Sequence, residues 1–253
     1  MNPITGNHSI FIEETESTNE ALKLEEQKHK LPEGTVVYTH YQRKGKGQAD
    51  AKWESEPAHN LLLSVLYTPK FLKIEAQMYL NLAVALACRQ FIAELLPEHI
   101  VRIKWPNDLV VNGHKIGGIL IENAISGNQL KNSIVGIGIN VNQLKFNFSQ
   151  AISLAQITGK PYELHVLRKQ LCHFLDLFYT RLQLKQFDWL KMEYETHLLQ
   201  RGEKAEFLIN GQKQTAEIIG IGHQGKLFLM LNGEIFSFLN KELVYCSLKS
   251  SNE

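Results

Sequence analysis

Charge of one sign is missing from this 253-residue chain: 27 lysines and arginines stand against 26 aspartates and glutamates, a formal net charge of +1. The positive excess that sequence-independent duplex binding draws on is absent, so DNA is not expected as a partner. Cysteine is scarce, with three residues, Cys88, Cys172 and Cys246, far apart and set among apolar neighbours. That number and spacing support neither a disulfide framework nor a Cys-x-x-Cys metal or redox site, and they point to a reducing cytoplasm. The ten histidines join no His/Cys cluster with metal-ligand spacing. Long apolar runs are also lacking. The first 16 residues show no basic region followed by an apolar stretch, and the longest apolar run, around Leu80 to Cys88, is too short to cross a bilayer. The protein is expected to be soluble, unprocessed and without a membrane partner. No internal repeat or low-complexity tract supports a solenoid or a disordered tail.

What is present suits a buried core. Hydrophobic residues make up 44% of the chain and charged ones 21%, at a length that fits one large domain plus a small one. Ser17-Thr18-Asn19-Glu20 followed by Ala21, Leu22 and Leu24 predicts a capped amphipathic helix. Strands are expected at Thr35 to Gln42, Leu61 to Tyr67, Val101 to Lys104 and Ile134 to Val141, with a long helix from about Ile74 to Leu96. Leu109 to Val111 and Lys115 to Glu122 flank Asn112-Gly113, a dipeptide that accepts positive φ at both centres of a tight hairpin turn. Helical periodicity returns from Glu163 to Leu184 and from Phe187 to Leu199. From Gly202 onward, short apolar runs separated by Asn210-Gly211, Gln224-Gly225 and Asn232-Gly233 predict a small β-barrel of hairpins. A boundary near Gln200 divides residues 1–200 from 201–253.

Three segments carry chemistry. In Tyr41-Gln42-Arg43-Lys44-Gly45-Lys46-Gly47-Gln48, glycines let backbone N–H groups approach an anion and lysines neutralise it. Alone it reads first as a solvated surface loop, since it lacks the Gly-Lys-Ser/Thr ending of a P-loop. In Lys104-Trp105-Pro106-Asn107-Asp108-Leu109 the proline ends a strand and the turn projects an amide and a carboxylate, which could simply bond their own backbone. Lys115-Ile116-Gly117-Gly118-Ile119-Leu120 places two glycines in a strand, as a β-bulge or where a ligand passes close by.

Taken together, Ser17 to Asn19, Gln42 with Gly45 to Gln48, Lys104 to Asp108, Lys115 to Leu120 and Gly136 to Asn140 resemble, in order and over nearly the whole chain, the motifs of the biotin protein ligases. The resemblance implies an α/β (α+β) catalytic domain, a mixed sheet backed by helices, followed by a small SH3-like barrel. It implies the activation of biotin by ATP as biotinyl-AMP and transfer to a lysine of a biotin carboxyl carrier protein, with Mg²⁺ arriving with ATP. It places Ser17, Thr18, Asn19 and Gln42 on biotin and Gly45, Lys46, Gly47 and Gln48 on the loop over the adenylate. Gly117, Gly118 and Leu120 fall on the biotin pocket, and Trp53, Asn107 and Asn140 near the adenylate. Lys115 matches the catalytic lysine. Members of the family vary in dimerisation, and a homodimer is compatible with the resemblance.

Two sites keep a second reading. Ser17 and Glu20 have the spacing of a capping box, and Trp53 by itself is more often a packed aromatic than an adenine platform, raised only by its motif context. The second half-reaction needs a free amine from an ammonium whose pKa is about 10.4. Asp108 is the candidate base or orienting acceptor, unless it serves only its turn. The loop departs from the family pattern at Gln48, Ala49, Asp50 and Ala51, where arginine and glycine are usual, and Gln48 supplies no guanidinium fork. Weaker retention of biotinyl-AMP is expected from that. A lipoate or octanoate transferase of similar fold is the nearest rival, with Lys-Trp-Pro-Asn-Asp favouring biotin. Larger ligases that double as repressors carry an N-terminal helix-turn-helix domain, and the 16 residues before Ser17 are not expected to hold one.

Overall fold

The computed structural model describes residues 3–48 and 51–248; Ala49 and Asp50 of the loop lie outside the described residues. Seven strands form one sheet: β1 (Ser9–Thr15), β2 (Val36–Gln42), β3 (Leu61–Tyr67), β4 (Val101–Lys104), β5 (Asp108–Val111), β6 (His114–Ser126) and β7 (Gln129–Ile139), in the order β1-β2-β3-β7-β6-β5-β4. β1 and β2 run parallel and the other neighbours antiparallel, so the sheet is mixed.

Strand β3 is buried on both faces, which its uninterrupted apolar sequence requires. Leu61, Leu63, Val65 and Tyr67 face the main core, while Leu66 joins Ala21, Leu22, Val37 and Ile134 on the opposite face. Helices α2 (Met78–Leu95) and α4 (Leu164–Gln183) cover the first face, packed against each other and with α5 (Phe187–Thr196). Helix α1 (Thr18–Lys28) packs mainly on β2, β3 and β7 on the second face. Part of the sheet beyond it therefore stays open for a site.

Helix α2 is apolar nearly all round because sheet and helices enclose it. Fully burying side chains such as Leu80, Leu86 and Ile92 contributes about 1.5–3 kcal/mol each. Helical structure from Ile74 to Leu95 has the length and composition of a membrane span, longer than the apolar run alone suggested, but packing places it in the core.

Asn112 and Gly113 join β5 to β6 with φ of 50° and 70°, as the tight hairpin demands. Asn210-Gly211, Gln224-Gly225 and Asn232-Gly233 also hold positive φ at the turns expected of them. They connect β8 (Lys204–Ile209), β9 (Gln212–Ile221), β10 (Leu227–Leu231) and β11 (Glu234–Phe238), and β12 (Leu243–Tyr245) completes a five-stranded antiparallel sheet in the order β11-β10-β9-β8-β12. Where a barrel was expected, the outer strands β11 and β12 do not pair with each other among the described residues. Phe207, Ile218 and Leu229 share one core cluster with Leu190 and Tyr194 of α5. Trp105 Nε1 donates to the Gly225 carbonyl at 2.8 Å and docks this sheet beside the β4–β5 turn.

Three differences from the sequence reading have local causes. Ser17 holds the N-cap position of α1 with extended backbone, but its side chain makes no capping bond. Gln42 Oε1 instead accepts from Thr18 N at 2.8 Å, and Glu20 pairs with Lys46. Strand β7 begins at Gln129 rather than near Ile134, because β6 and β7 run on together to a turn at Gly127, φ 61°. The short α3 (Leu154–Thr158) starts from a capping box of Ser153 and Gln156 that the sequence reading passed over.

Candidate active site

A cavity of about 300 Å³ opens on the sheet face that α1 leaves bare. Its floor is made possible by glycine. Gly118 and Gly138 are paired across β6 and β7, as are Leu120 and Gly136. A Cβ at Gly138 would lie 2.6 Å from the Trp53 ring, one at Gly118 would lie 3.3 Å from it, and one at Gly136 would overlap Asn19 Oδ1. The bare strands thus let an indole and an amide lie against the backbone. Trp53 Nε1 is buried and has no hydrogen-bond partner, an orphaned donor of the kind a ligand oxygen satisfies.

One end of the cavity is a polar nest. Ser17, Thr18 and Asn19 are buried at the start of α1. Gln42 Oε1 accepts from Thr18 N and from Thr18 Oγ1 at 3.1 Å. Ser64 Oγ lies 2.7 Å from Thr18 Oγ1 and donates to Asn19 Oδ1 at 2.6 Å, while Asn19 Nδ2 donates to Glu122 Oε2 at 2.7 Å. Ser64 and Glu122 were not foreseen. The signal for Ser64 was available, as the one serine inside the apolar run Leu61 to Tyr67.

The other end carries charge. Asp108 lies between two ammonium groups, Lys115 Nζ at 2.6 Å from Oδ1 and Lys104 Nζ at 3.2 Å from Oδ2. Lys115 Nζ also sits 5.7 Å from the Trp53 ring centre, and Lys104 Nζ 5.6 Å from that of Tyr245. The turn that positions Asp108 includes a cis Trp105–Pro106 peptide, and the Pro106 carbonyl accepts from Asn81 Nδ2 at 2.9 Å and Tyr194 Oη at 3.0 Å. Burial pushes the Tyr194 and Tyr245 phenols up, so both stay neutral beside Asp108. The glycine-rich loop is tied down on two sides. Lys46 pairs with Glu20, which raises the lysine's pKa, and Asn240 Nδ2 donates to Gln48 Oε1.

Of the residues singled out in the sequence, Ser17, Thr18, Asn19, Gln42, Lys46, Gly47, Gln48, Trp53, Asn107, Asp108, Lys115, Gly118 and Leu120 line this one cavity. Gly45, Gly117 and Asn140 do not. Gly45 lies against Trp53 and Gln42, where a Cβ would come within 2.8 Å of the Trp53 carbonyl. Gly117 packs on Leu109 and Ile139, next to a register shift between β5 and β6, so here the bulge reading holds. Asn140 Nδ2 donates to the Ile152 carbonyl at 3.1 Å and secures the chain leaving β7. Asn107 faces the cavity but its amide is spent on the Ile119 carbonyl.

A cavity that joins a buried hydrogen-bonding nest to a lysine-rich end through an unsatisfied indole can hold an acid by its polar head and an anionic group at its tail. The sequence profile of the Biotin/lipoate A/B protein ligase family matches residues 11–140. The chain belongs to this family. The bifunctional ligase/repressor BirA of Bacillus subtilis is 28% identical over 234 residues, 90% of this chain and 71% of that protein. A biotin–[acetyl-CoA-carboxylase] ligase of Paracoccus denitrificans is 34% identical over 139 residues, 52% of this chain and 53% of its own. Among solved structures, the biotin protein ligase from Aquifex aeolicus in complex with biotin and ATP superposes with a TM-score of 0.78 at 28% identity, covering 94% of this chain and 98% of that one. Membership places the shared fold around the cavity just described.

Proposed function

We propose that this protein is a biotin protein ligase that condenses biotin with ATP into biotinyl-5′-AMP and passes biotin to a lysine of a biotin carboxyl carrier protein. The observation that carries this reading is the joining of the Thr18–Asn19–Gln42 nest, backed by Ser64, to the Lys115–Asp108 pair within one cavity. A ureido head offers two N–H donors and a carbonyl acceptor to such a nest. The apolar dithiolane of lipoate offers this nest no hydrogen-bonding partner, which favours the ureido head.

In the first step a carboxylate oxygen of biotin attacks the α-phosphorus of ATP, and the bond from that phosphorus to the bridging oxygen breaks with release of pyrophosphate. Two anions must meet, and Lys115 is the cation placed to hold the carboxylate and neutralise the pentavalent phosphate. Trp53 supplies a face and an unsatisfied N–H for the adenylate. In the second step the acceptor amine attacks the acyl carbon, AMP leaves, and Asp108 takes or orients the amine proton. Among the described residues, no group of three His, Cys, Asp or Glu side chains could hold a metal. In this reading, Mg²⁺ is carried by the phosphates of ATP. We assign the cavity mainly to a catalytic domain of residues 1–200, with residues 201–253 forming the small domain whose β11–β12 turn completes the rim.

The test is incubation with biotin, ATP, Mg²⁺ and a biotin carboxyl carrier domain, scored by a biotin-sized mass gain on one lysine. Parallel reactions with lipoate and octanoate should give none. Modification with either of those acids and none with biotin would overturn the reading.

A further inference from the structure

Two aromatic rings bracket the charged end of the cavity, one over each ammonium that holds Asp108. Trp53 stands 5.7 Å from Lys115 Nζ, and Tyr245 stands 5.6 Å from Lys104 Nζ, measured to the ring centres. Both distances fall within the roughly 6 Å over which a ring face attracts a cation. The rings come from different parts of the chain, Trp53 from the loop after β2 and Tyr245 from β12 of the C-terminal sheet. Tyr245 is fixed from behind. It pairs in register with Phe207 of β8, their rings meet edge to face at 5.1 Å, and it packs on the cluster of Val110, Leu199 and Leu248. Its hydroxyl makes no full hydrogen bond, so the ring is what it offers the site. Burial keeps the phenol neutral, so it adds no second anion to compete with Asp108 for Lys104. Trp105, the residue after Lys104, donates to the Gly225 carbonyl at 2.8 Å, so the same sheet grips this turn at two adjacent side chains.

We infer that Tyr245 is a positioning residue for acyl transfer: its ring holds the Lys104 ammonium on Asp108, and through it the C-terminal sheet sets the group that meets the acceptor amine. This rests on the ligase reading above. Lys115 serves the substrate carboxylate and then the phosphate, which leaves Lys104 as the steady partner of Asp108. Its contact, at 3.2 Å, is longer than the 2.6 Å of Lys115, and an ammonium on a flexible four-carbon stem needs a second point of attachment to stay there. An aliphatic side chain at position 245 would pack between Phe207 and Val110 without attracting the ammonium. Tyr245 thereby acts through Lys104 rather than on the reacting atoms.

The experiment follows single-turnover transfer from prepared biotinyl-AMP to the carrier domain, and biotin-dependent pyrophosphate release, in wild type, Tyr245→Phe, Tyr245→Leu, Lys104→Met and the Lys104→Met/Tyr245→Leu double variant. Tyr245→Leu should slow transfer about three- to tenfold, and pyrophosphate release by much less, with KM for the carrier domain near wild type. Tyr245→Phe keeps the ring and should retain most of the transfer rate. In the Lys104→Met background Tyr245→Leu should cost nothing more, because the contact it breaks is already gone. A merely loosened sheet would instead slow both half-reactions and add to the loss from Lys104→Met. Equal slowing of the two half-reactions, a full loss in Tyr245→Phe, or additive losses in the double variant would each overturn the inference. The contact itself is read, whatever acid the enzyme activates, from the ¹³Cε–H resonance of Lys104 in lysine-labelled protein. Its ring-current shift should persist in Tyr245→Phe and vanish in Tyr245→Leu, and an unchanged resonance in Tyr245→Leu would also overturn the inference. Biotin-dependent pyrophosphate release by wild type tests the parent reading separately.

Discussion

Lys115→Met removes one ammonium and little else. Lys115 and Asp108 side chains are 28% and 17% exposed, so their ion pair is partly solvated and contributes about 1 kcal/mol or less after screening. Asp108 is not stranded by the change, because Lys104 remains at 3.2 Å. For a chain of this size 1 kcal/mol shifts Tm by roughly 2–4 °C, and the variant should unfold within that range of wild type. The chemical loss is much larger. A preorganised cation aimed at the developing phosphate charge is worth on the order of 10²-fold or more, about 2.7 kcal/mol of barrier. Biotin-dependent pyrophosphate release should fall by that factor. Transfer from prepared biotinyl-AMP should fall less, because the charge on phosphorus develops in the first step. Adenylation within about threefold of wild type, under roughly 1 kcal/mol, would remove Lys115 from the mechanism.

Gly138→Ala would set a Cβ 2.6 Å from the Trp53 ring and Gly136→Ala would overlap Asn19, so the first should raise KM for ATP and the second KM for biotin, each at about 1–3 kcal/mol of stability; matched effects on both substrates would show that the two ends of the cavity do not act separately. Asp108→Asn should adenylate biotin but transfer it slowly, and a normal transfer rate from biotinyl-AMP in a single-turnover assay would reject the base role. Asn240→Ala breaks the bond to Gln48 and should speed release of biotinyl-AMP, read as free adenylate in a filter-binding assay, whereas Gln48→Arg should retain it longer; unchanged release in both would rule out the loop contact as a latch. Burial pushes the Cys172 thiol up to about 11 and raises that of Cys88 further, while Cys246 is exposed. Ellman's reagent at pH 8 should therefore label one thiol in the folded protein and three in denaturant, and fast labelling that survives Cys246→Ser would contradict the packing.

Much of the fold was legible because the signals were local. Asn112-Gly113 announced its hairpin, and Leu61 to Tyr67 and Val101 to Lys104 appear as strands with the expected bounds. β1 was not foreseen, since Phe11 points outward at 44% exposure and Ile10 and Ile12 are only half buried, which blurs the alternation. The lysine-rich end of the cavity could be read from Lys-Trp-Pro-Asn-Asp and Lys115, which share one hairpin. The polar nest could not, because Ser64 and Glu122 meet Asn19 across 45 and 103 residues of sequence through strand register. The capping box failed for the same reason: Ser17 makes no capping bond, and Glu20, whose carboxylate the box needs, pairs instead with Lys46, 26 residues away.

The resting charge pairs explain how the cavity can hold so many lysines before a substrate arrives. Ammonium groups at close quarters repel one another, and three of the five lysines lining the cavity are held by anions that a ligand can replace. Asp108 holds two of them and Glu20 a third. A biotin carboxylate entering beside Lys115 would substitute one anion for another at similar electrostatic cost. That exchange frees Asp108 from Lys115 while Lys104 still steadies it. In the proposed reaction, adenylation then consumes the substrate carboxylate, and Asp108 meets the carrier amine held by Lys104 alone. Lys104 is then the group that positions Asp108 for the second step, so Lys104→Met should slow transfer from biotinyl-AMP more than adenylation, and equal slowing of both would reject that role.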